Sequence, residues 1–217
     1  MKIACLQFNP IQENTYVVWD DTLEAVVIDA GNSNPREDAA LDNFIAEHGL
    51  RPVLAANTHG HFDHTLGVAH LKKRYGIPFA MSLKDAFLLD NASTSGSIFG
   101  VPVGEMPSVD TDLDTTPEIR FGHTVLRVLR TPGHTPGHVA LYEPQSKSLF
   151  TGDTLSASRS GAPTCLEATI RGSCARSSTS CSRWATRCTS TPATGLSRPS
   201  ATKCSTTPSS SRCSTRR

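Results

Sequence analysis

The chain has 217 residues, of which 37% are hydrophobic and 19% charged, and its mean hydropathy is −0.25, which suits one globular domain with or without an appendage. No apolar run approaches the ~20 residues of a membrane span, and the first residues lack a signal peptide's apolar stretch, so we expect a cytoplasmic protein without membrane contact. The formal net charge of +1 is unevenly distributed, with −8 in residues 1–155 and +9 in residues 156–217.

The acidic region begins as a run of short strands interrupted by one helix. Apolar or alternating segments predict strands at residues 2–8, 15–19, 24–29 and 52–56. Asn34 followed by Pro35 indicates a helix start, because proline fits the first helical position. Apolar residues then recur at helical spacing until Gly49, where we expect the helix to end.

The rest of the acidic region continues the same alternation. We predict, in chain order, a helix at residues 66–75 closed by Gly76, a strand at 78–81, a helix capped by Ser82 that runs to Leu89, and strands at 125–129, 139–142 and 149–150. Residues 91–116 are rich in Gly, Pro, Ser and Asp, which predicts a loop. The mixture of strands and helices predicts an α/β domain over residues 1–155.

The basic region differs in composition from any folded domain. Residues 156–217 contain 16 Ser and 11 Thr, with large apolar residues at only four positions. So few apolar side chains cannot bury enough surface to offset the entropy of ordering. A disordered basic tail and an Arg/Ser-rich segment that binds nucleic acid are two interpretations. The six Cys of this region form no C-x₂-C pair, so a zinc ribbon is not indicated.

The segment from Thr58 to His64 is the strongest functional signal. It places His59, His61 and His64 with Asp63 directly after a predicted buried strand. Neutral imidazoles and carboxylates suit Zn²⁺ and similar divalent metals. His59 and His61 alternate and can face one ion, whereas Asp63 and His64 can serve a second. The alternative is a solvated polar loop, which is the usual interpretation when such a loop contains only one His.

Two later turns extend this pattern. The Gly/Pro-rich turn at residues 131–138 follows a predicted strand and presents His134. The turn at residues 151–154 follows another strand and presents Asp153, whose carboxylate can bridge two metals. Each turn is a weak signal alone, but the order of the three segments makes them mutually reinforcing.

With these residues in place, residues 1–155 resemble the metallo-β-lactamase superfamily, and within it the short glyoxalase II-like (hydroxyacylglutathione hydrolase-like) hydrolases. The resemblance implies an αββα sandwich with the site at one edge. It also implies a first metal held by His59, His61 and His134, a second held by Asp63 and His64, and a bridging Asp153. His138 matches a family position that is not a ligand, so we expect a supporting role for it.

The resemblance also implies the chemistry. Two divalent ions, zinc first and iron or manganese as alternatives, would supply hydroxide at neutral pH, and Asp63 would help orient this nucleophile as the catalytic residue. The expected substrate is a small-molecule thioester such as a hydroxyacylglutathione. Lactonase, β-lactamase, phosphodiesterase and one-metal sulfur dioxygenase activities are alternatives within the superfamily. We expect no nucleic-acid or membrane partner, and the oligomeric state stays open.

The sequence departs from the family after Leu155. The family completes its second metal with a His in a late Gly-His-Gly turn, but no His follows His138 and residues 156–217 contain no Asp. Read in the neighbouring frame, the codons for residues 192–195 permit Gly-His-Gly, and those for residues 161–177 permit GRTDLPGGDHPRLLRSI, which resembles the family. A single-base deletion just after Leu155 accounts for both observations.

We therefore interpret residues 156–217 as an out-of-frame tail. On this interpretation the chain lacks a late strand, its flanking helices and one ligand of the second metal. We expect weakened binding at that position, a poorly ordered tail and a tendency to aggregate because sheet surface is left uncovered. A catalytically impaired frameshift product is then the alternative to an active hydrolase.

Overall fold

The computed structural model describes residues 1–154, which form two β-sheets and five α-helices. The strands are β1 (Lys2–Phe8), β2 (Glu13–Trp19), β3 (Glu24–Ile28), β4 (Arg51–Ala56), β5 (Phe79–Met81), β6 (Thr111–Asp112), β7 (Glu118–Phe121), β8 (Thr124–Arg130), β9 (Val139–Glu143) and β10 (Ser148–Phe150). The helices are α1 (Pro35–Glu47), α2 (Phe62–Thr65), α3 (Val68–Tyr75), α4 (Ala86–Asp90) and α5 (Ala92–Ile98). Short 3₁₀ turns occupy Leu83–Asp85 and Gly152–Thr154.

The two sheets differ in strand direction. The larger sheet has the order β1-β2-β3-β4-β5-β6, in which β1, β2 and β3 are antiparallel and β3 to β6 are parallel. The smaller sheet has the order β10-β9-β8-β7 and is antiparallel throughout. Parallel neighbours need a crossover connection, and α1 between β3 and β4 and α3 between β4 and β5 provide these connections.

The larger sheet packs against a hydrophobic core on each face. Val17 and Trp19 of β2 belong to a core shared with helices α1 and α3, whereas Val18 between them belongs to the core between the sheets. This split follows from the alternation of side chains along a strand. The described layers are therefore helix, sheet and sheet. The second helical layer of the expected αββα sandwich would fall outside the described residues.

The predicted helix signals are confirmed at two termini. Asn34 caps α1, and its side chain accepts hydrogen bonds from the backbone N–H groups of Arg36 and Glu37. Gly76 ends α3 in the left-handed conformation, with φ of +67°. The strand predictions also hold, with bounds shifted by up to two residues. The short polar signals at helix ends were therefore sufficient to place these elements.

The loop predicted over residues 91–116 is wrong in part. Helix α5 and strand β6 lie within it. Gly96 allows the chain after α5 to pack closely against this helix. A Cβ at Gly96 would lie 2.3 Å from the Val103 side chain. Ala92 is buried in a small core with Phe62 and Val101, so packing against α2 stabilises a helix that its Ser-rich sequence disfavours.

Three further features bear on the sequence predictions. Strand β7 was not predicted, since only Ile119 and Phe121 of its four residues are buried in the core. The helix predicted from residue 66 begins at Val68, and the separate helix α2 precedes it. No helix in residues 1–154 is both long and apolar enough to cross a membrane. The domain boundary after residue 155 and the poorly ordered tail concern positions outside the described residues.

Candidate metal centre

Three loops that each leave the end of a strand meet at one edge of the sandwich. The first follows β4 and carries His59 and His61 into helix α2; the second lies between β8 and β9; the third follows β10. Strand β9 joins the first loop through a hydrogen bond of 2.8 Å from the Val139 N–H to the Thr58 carbonyl. The structure thus brings together segments that are more than 90 residues apart in the chain.

Three imidazoles form the first group of donor atoms. Nδ1 of His61 lies 3.0 Å from Nε2 of His59 and 3.0 Å from Nε2 of His134. A neutral imidazole nitrogen offers either one proton or one lone pair, so this Nδ1 cannot form good hydrogen bonds with both partners. The arrangement fits a cation shared by three lone pairs, as in tetrahedral zinc sites.

Two carboxylates and the fourth imidazole form the second group. Nε2 of His64 lies 3.3 Å from Oδ1 of Asp153 and 3.7 Å from Oδ2 of Asp63. The other oxygen of Asp153, Oδ2, lies 3.5 Å from Nε2 of His134. One donor atom each from His59, His61, His134 and Asp153 lies within 4.8 Å of all the others. Asp153 therefore faces both groups, as a bridging ligand must.

Burial changes across the centre. His59 is fully buried and His64 is nearly so, whereas His134 and Asp153 are exposed. The centre is thus closed at the back by the protein core and open to solvent on one side. A small molecule can approach the donors from that side.

The environment favours different protonation states in the two groups. Burial lowers the pKa of His59 and His61, and neighbouring imidazoles lower both further, so these rings stay neutral with a lone pair available. Burial also disfavours the charged form of His64, but the carboxylates of Asp29, Asp153 and Glu13 outweigh it and raise its pKa. The hydrogen bond from His64 lowers the pKa of Asp153.

Asp29 supports the first group from behind, a role that the sequence analysis missed. It accepts hydrogen bonds from the N–H and Oγ1 of Thr58 at 2.7 and 2.8 Å. Oγ1 of Thr58 lies 3.1 Å from Nδ1 of His59. Because the hydroxyl proton goes to Asp29, this oxygen accepts from Nδ1–H of His59, which leaves Nε2 unprotonated towards the donor group. A polar residue directly after the apolar strand β3 was the available signal.

Glu13 supports the second group and was also missed. Its Oε1 lies 3.5 Å from Nδ1 of His64, and Oδ2 of Asp29 lies 3.4 Å from the same nitrogen. Burial raises the pKa of Glu13 to about 9 against the opposing effect of His64. The two carboxylates direct Nδ1–H of His64 away from the centre, so Nε2 faces Asp63 and Asp153. An acid on the buried face of an alternating strand was the signal.

Contacts with the backbone fix the segments that carry the donor side chains. Nδ2 of Asn57 donates to the His64 carbonyl at 2.6 Å, and Nδ2 of Asn9 donates to the Asp63 carbonyl at 3.0 Å. Gly152 adopts φ of +47°, and a Cβ there would lie 2.3 Å from Oγ1 of Thr58. Only glycine fits at this position, and it brings Asp153 against the first loop.

His138 lies beside the donors and outside their group. It is buried, its Nδ1 is 2.8 Å from Oγ1 of Thr131, and its ring stacks on His59 with centroids 5.1 Å apart. Burial lowers the pKa of His138 to about 4. These contacts are those of a supporting side chain that holds the His59 ring in place.

Comparison with known proteins gives matches over most of the chain. The model of the metallo-beta-lactamase superfamily matches residues 8–187. Hydroxyacylglutathione hydrolase GloC of Haemophilus influenzae is 32% identical over 157 residues, which are 71% of this chain and 72% of that protein.

Two solved structures share the fold. The B3 metallo-beta-lactamase BLEG-1 has a TM-score of 0.68 and 31% identity, covering 78% of this chain and 84% of its own. TTHA1623, in a di-iron-bound form, has a TM-score of 0.64 and 29% identity, and the match covers 80% of this chain and 86% of TTHA1623.

Proposed function

The chain belongs to the metallo-beta-lactamase superfamily and is a hydrolase, and from this premise we propose that it cleaves a small-molecule thioester such as a hydroxyacylglutathione. The observation that carries the proposal is the pair of donor groups joined by Asp153 and open to solvent on one side. The relative named as a hydroxyacylglutathione hydrolase supports this substrate class.

The residues present fit two divalent ions. We assign the first to His59, His61 and His134, the second to Asp63 and His64, and a bridging position to Asp153. Zinc suits these imidazole and carboxylate donors, with iron and manganese as alternatives. The di-iron form of TTHA1623 supports iron as an alternative metal. When bound, such ions lower the pKa of water towards 7 and polarise a carbonyl.

The chain's own groups have separate tasks. Asp63 has a carboxylate that is largely buried beside His64, where it can orient the attacking water by accepting a hydrogen bond from it. His134 and Asp153 form the exposed rim past which a thioester would enter. His59 closes the back of the centre and excludes water there. This division leaves no requirement for a protein nucleophile.

The test is a hydrolysis assay on the 217-residue chain loaded in turn with zinc, iron and manganese. Asp153→Asn should abolish turnover of a hydroxyacylglutathione thioester, because it replaces the carboxylate that faces both donor groups with a neutral amide. Asp90→Asn is the matched control, since Asp90 is an exposed acid at the end of α4. Turnover of a lactone, β-lactam or phosphodiester in place of the thioester would assign another activity of the superfamily.

A second candidate is a chain that binds metal but turns over little substrate. The observation favouring it is that no His follows His138 and no Asp follows Asp153. The family match runs past Leu155 to residue 187, yet this added stretch supplies neither residue type. We infer that residues 156–217 are read out of frame, and that residues 1–155 are the metal-binding domain.

A fresh read of the coding DNA across residues 152–161 tests the frameshift. An extra base relative to the present reading would restore the last ligand, whereas an unchanged reading would make the chain a frameshift product. Turnover by the frame-restored protein, compared with the chain as it stands, then measures the impairment. A cytoplasmic location and the absence of nucleic-acid and membrane partners stay predictions.

A further inference from the structure

A buried carboxylate links the two loops that carry the first donor group. Asp85 lies at the end of the 3₁₀ turn Leu83–Asp85 and is fully buried. Its Oδ2 accepts a hydrogen bond of 3.1 Å from the N–H of Gly60, the residue between His59 and His61. The same oxygen accepts from Oγ1 of Thr135 at 2.6 Å.

The other oxygen completes the link. Oδ1 of Asp85 accepts from the N–H of Gly137 at 2.7 Å. Thr135 directly follows His134, and its carbonyl accepts from the N–H of Gly133 at 3.1 Å, which folds the loop around it. Two oxygens thus hold three donors from loops that lie 25 and about 50 residues from Asp85 in the chain.

Both loops approach this carboxylate as closely as a backbone can. A Cβ on Gly60 would lie 2.8 Å from the Asp85 carbonyl and 2.9 Å from its Cβ. A Cβ on Gly137 would lie 2.8 Å from Oδ1 of Asp85. Glycine is required at both positions because any side chain would push the loops away from Asp85, and therefore away from each other.

We propose that Asp85 is a positioning residue of the metal centre, which sets the separation of His61 and His134 by holding their loops to one carboxylate. The inference rests on the proposed metal centre, because Asp85 acts through the imidazoles. Nδ1 of His61 and Nε2 of His134 lie 3.0 Å apart on different loops. Besides the link through Asp85, the hydrogen bond from Val139 to Thr58 and the packing of the imidazole rings join the described residues of these loops.

The chain offers a matched carboxylate far from the centre. Asp20 is buried and accepts hydrogen bonds from the N–H and Oγ1 of Thr22, the N–H of His123 and Oγ1 of Thr124. It also ties two turns together. Asp20 directly follows β2, at the opposite end of this strand from Glu13, so the backbone positions of the two acids are roughly 23 Å apart at about 3.3 Å per residue.

The test measures zinc affinity by chelator competition, with thermal unfolding of the metal-free proteins alongside. Asp85→Asn keeps the size of the side chain but replaces one acceptor oxygen with a donor. We expect it to weaken zinc binding about 10- to 100-fold, as outer partners of metal ligands do. Asp20→Asn should lower the unfolding temperature comparably while leaving zinc affinity within about twofold of the unmodified chain.

A pair of milder substitutions at Thr135 tests the proposal if the Asp85→Asn variant does not fold. Thr135→Val removes one hydrogen bond to Asp85 at nearly constant volume, and Thr135→Ser restores the hydroxyl. We expect the valine variant to bind zinc several-fold more weakly and the serine variant to bind as the unmodified chain does.

The outcomes separate the inference from the proposed function. Unchanged affinity in Asp85→Asn, equal losses in Asp85→Asn and Asp20→Asn, or equal affinities of the two Thr135 variants would each overturn the positioning role while the metal centre stands. An unmodified chain that binds no zinc, iron or manganese would overturn the metal centre and the inference with it.

Discussion

The two donor groups of the candidate metal centre are built on opposite principles. In the first, three imidazoles converge, and burial lowers the pKa of His59 and His61 so that they are neutral. In the second, His64 lies among four carboxylates, those of Glu13, Asp29, Asp63 and Asp153. The first group is a preformed set of lone pairs, whereas the second surrounds the imidazole of His64 with acidic side chains.

This difference indicates how each group depends on the rest of the chain. The first group draws every ligand that the family resemblance implies from residues 59–134. The second lacks the late His that the resemblance implies, because none follows His138. We therefore expect one strong and one weakened metal position, and the following substitutions separate them.

The largest effect is expected for His134→Ala. This exposed ligand can be removed with little loss of packing, yet its absence leaves the first ion with two imidazoles. We expect zinc affinity at the strong position and turnover to fall by more than the 10- to 100-fold typical of outer-partner substitutions. Metal analysis after gel filtration, together with the thioester assay, measures both. Retention of one tightly bound ion would refute the assignment of the first group.

A narrower loss is expected for Asp63→Asn. Turnover should fall because the proposed roles of Asp63 are to bind the second ion and to orient water, whereas the strong position should keep its ion. The measurement is zinc content at one equivalent compared with the catalytic rate at saturating metal. Parallel loss of both would show that the two donor groups do not act separately.

A moderate effect is expected for Glu13→Gln. The amide keeps the shape of Glu13 but can turn an N–H donor, instead of the acceptor Oε1 that lies at 3.5 Å, towards Nδ1 of His64. We expect the weak position to lose a further 10- to 100-fold in affinity, with the strong position unchanged. Two-step zinc titration tests this. A change confined to the strong position would contradict the role given to Glu13.

The smallest effect on the centre is expected for Asp20→Asn, which acts on stability instead. Burial would raise the pKa of Asp20, but hydrogen bonds from Thr22, His123 and Thr124 outweigh it and lower the pKa from 3.8 to about 2. A lowered carboxyl pKa stabilises the fold above the unfolded value and loses this contribution as pH falls from about 4 to 2. The substitution should cost about 1–3 kcal/mol at pH 7.

The pH dependence distinguishes this effect from a general loss of packing. The difference in unfolding free energy between Asp20→Asn and the unmodified chain should shrink as pH falls from about 4 towards 2. Urea unfolding at pH 7, 4 and 3 measures it. A difference that does not change with pH would contradict the proposed contribution of the Asp20 charge.

Sequence patterns were sufficient to find the donor residues that lie next to strand ends. His59, His61 and Asp153 each follow an apolar strand within a few residues, so their pattern could be seen without the fold. Asp85 could not be found this way. It lies in a segment that resembles an ordinary helix start after Ser82, and its role exists only because Gly60 and Gly137 pack against it.

The errors in the fold have a related cause. Helix α5 is Ser-rich, and packing of its Ala92 with Phe62 of α2 and with Val101 stabilises it. Strand β7 has two buried apolar side chains, and its pairing with β8 supplies the rest of its stability. Helix α5 depends on a contact between distant segments, and β7 depends on its pairing with the next strand, neither of which local propensity and periodicity encode.

The most direct test of the two-group centre is a stepwise zinc titration of the 217-residue chain, followed by chelator competition. We expect one ion to bind tightly and a second to bind at least about tenfold more weakly, since an outer or missing ligand typically costs this much. Two equally tight ions would contradict the incomplete second group, and the absence of any bound ion would contradict the metal centre itself.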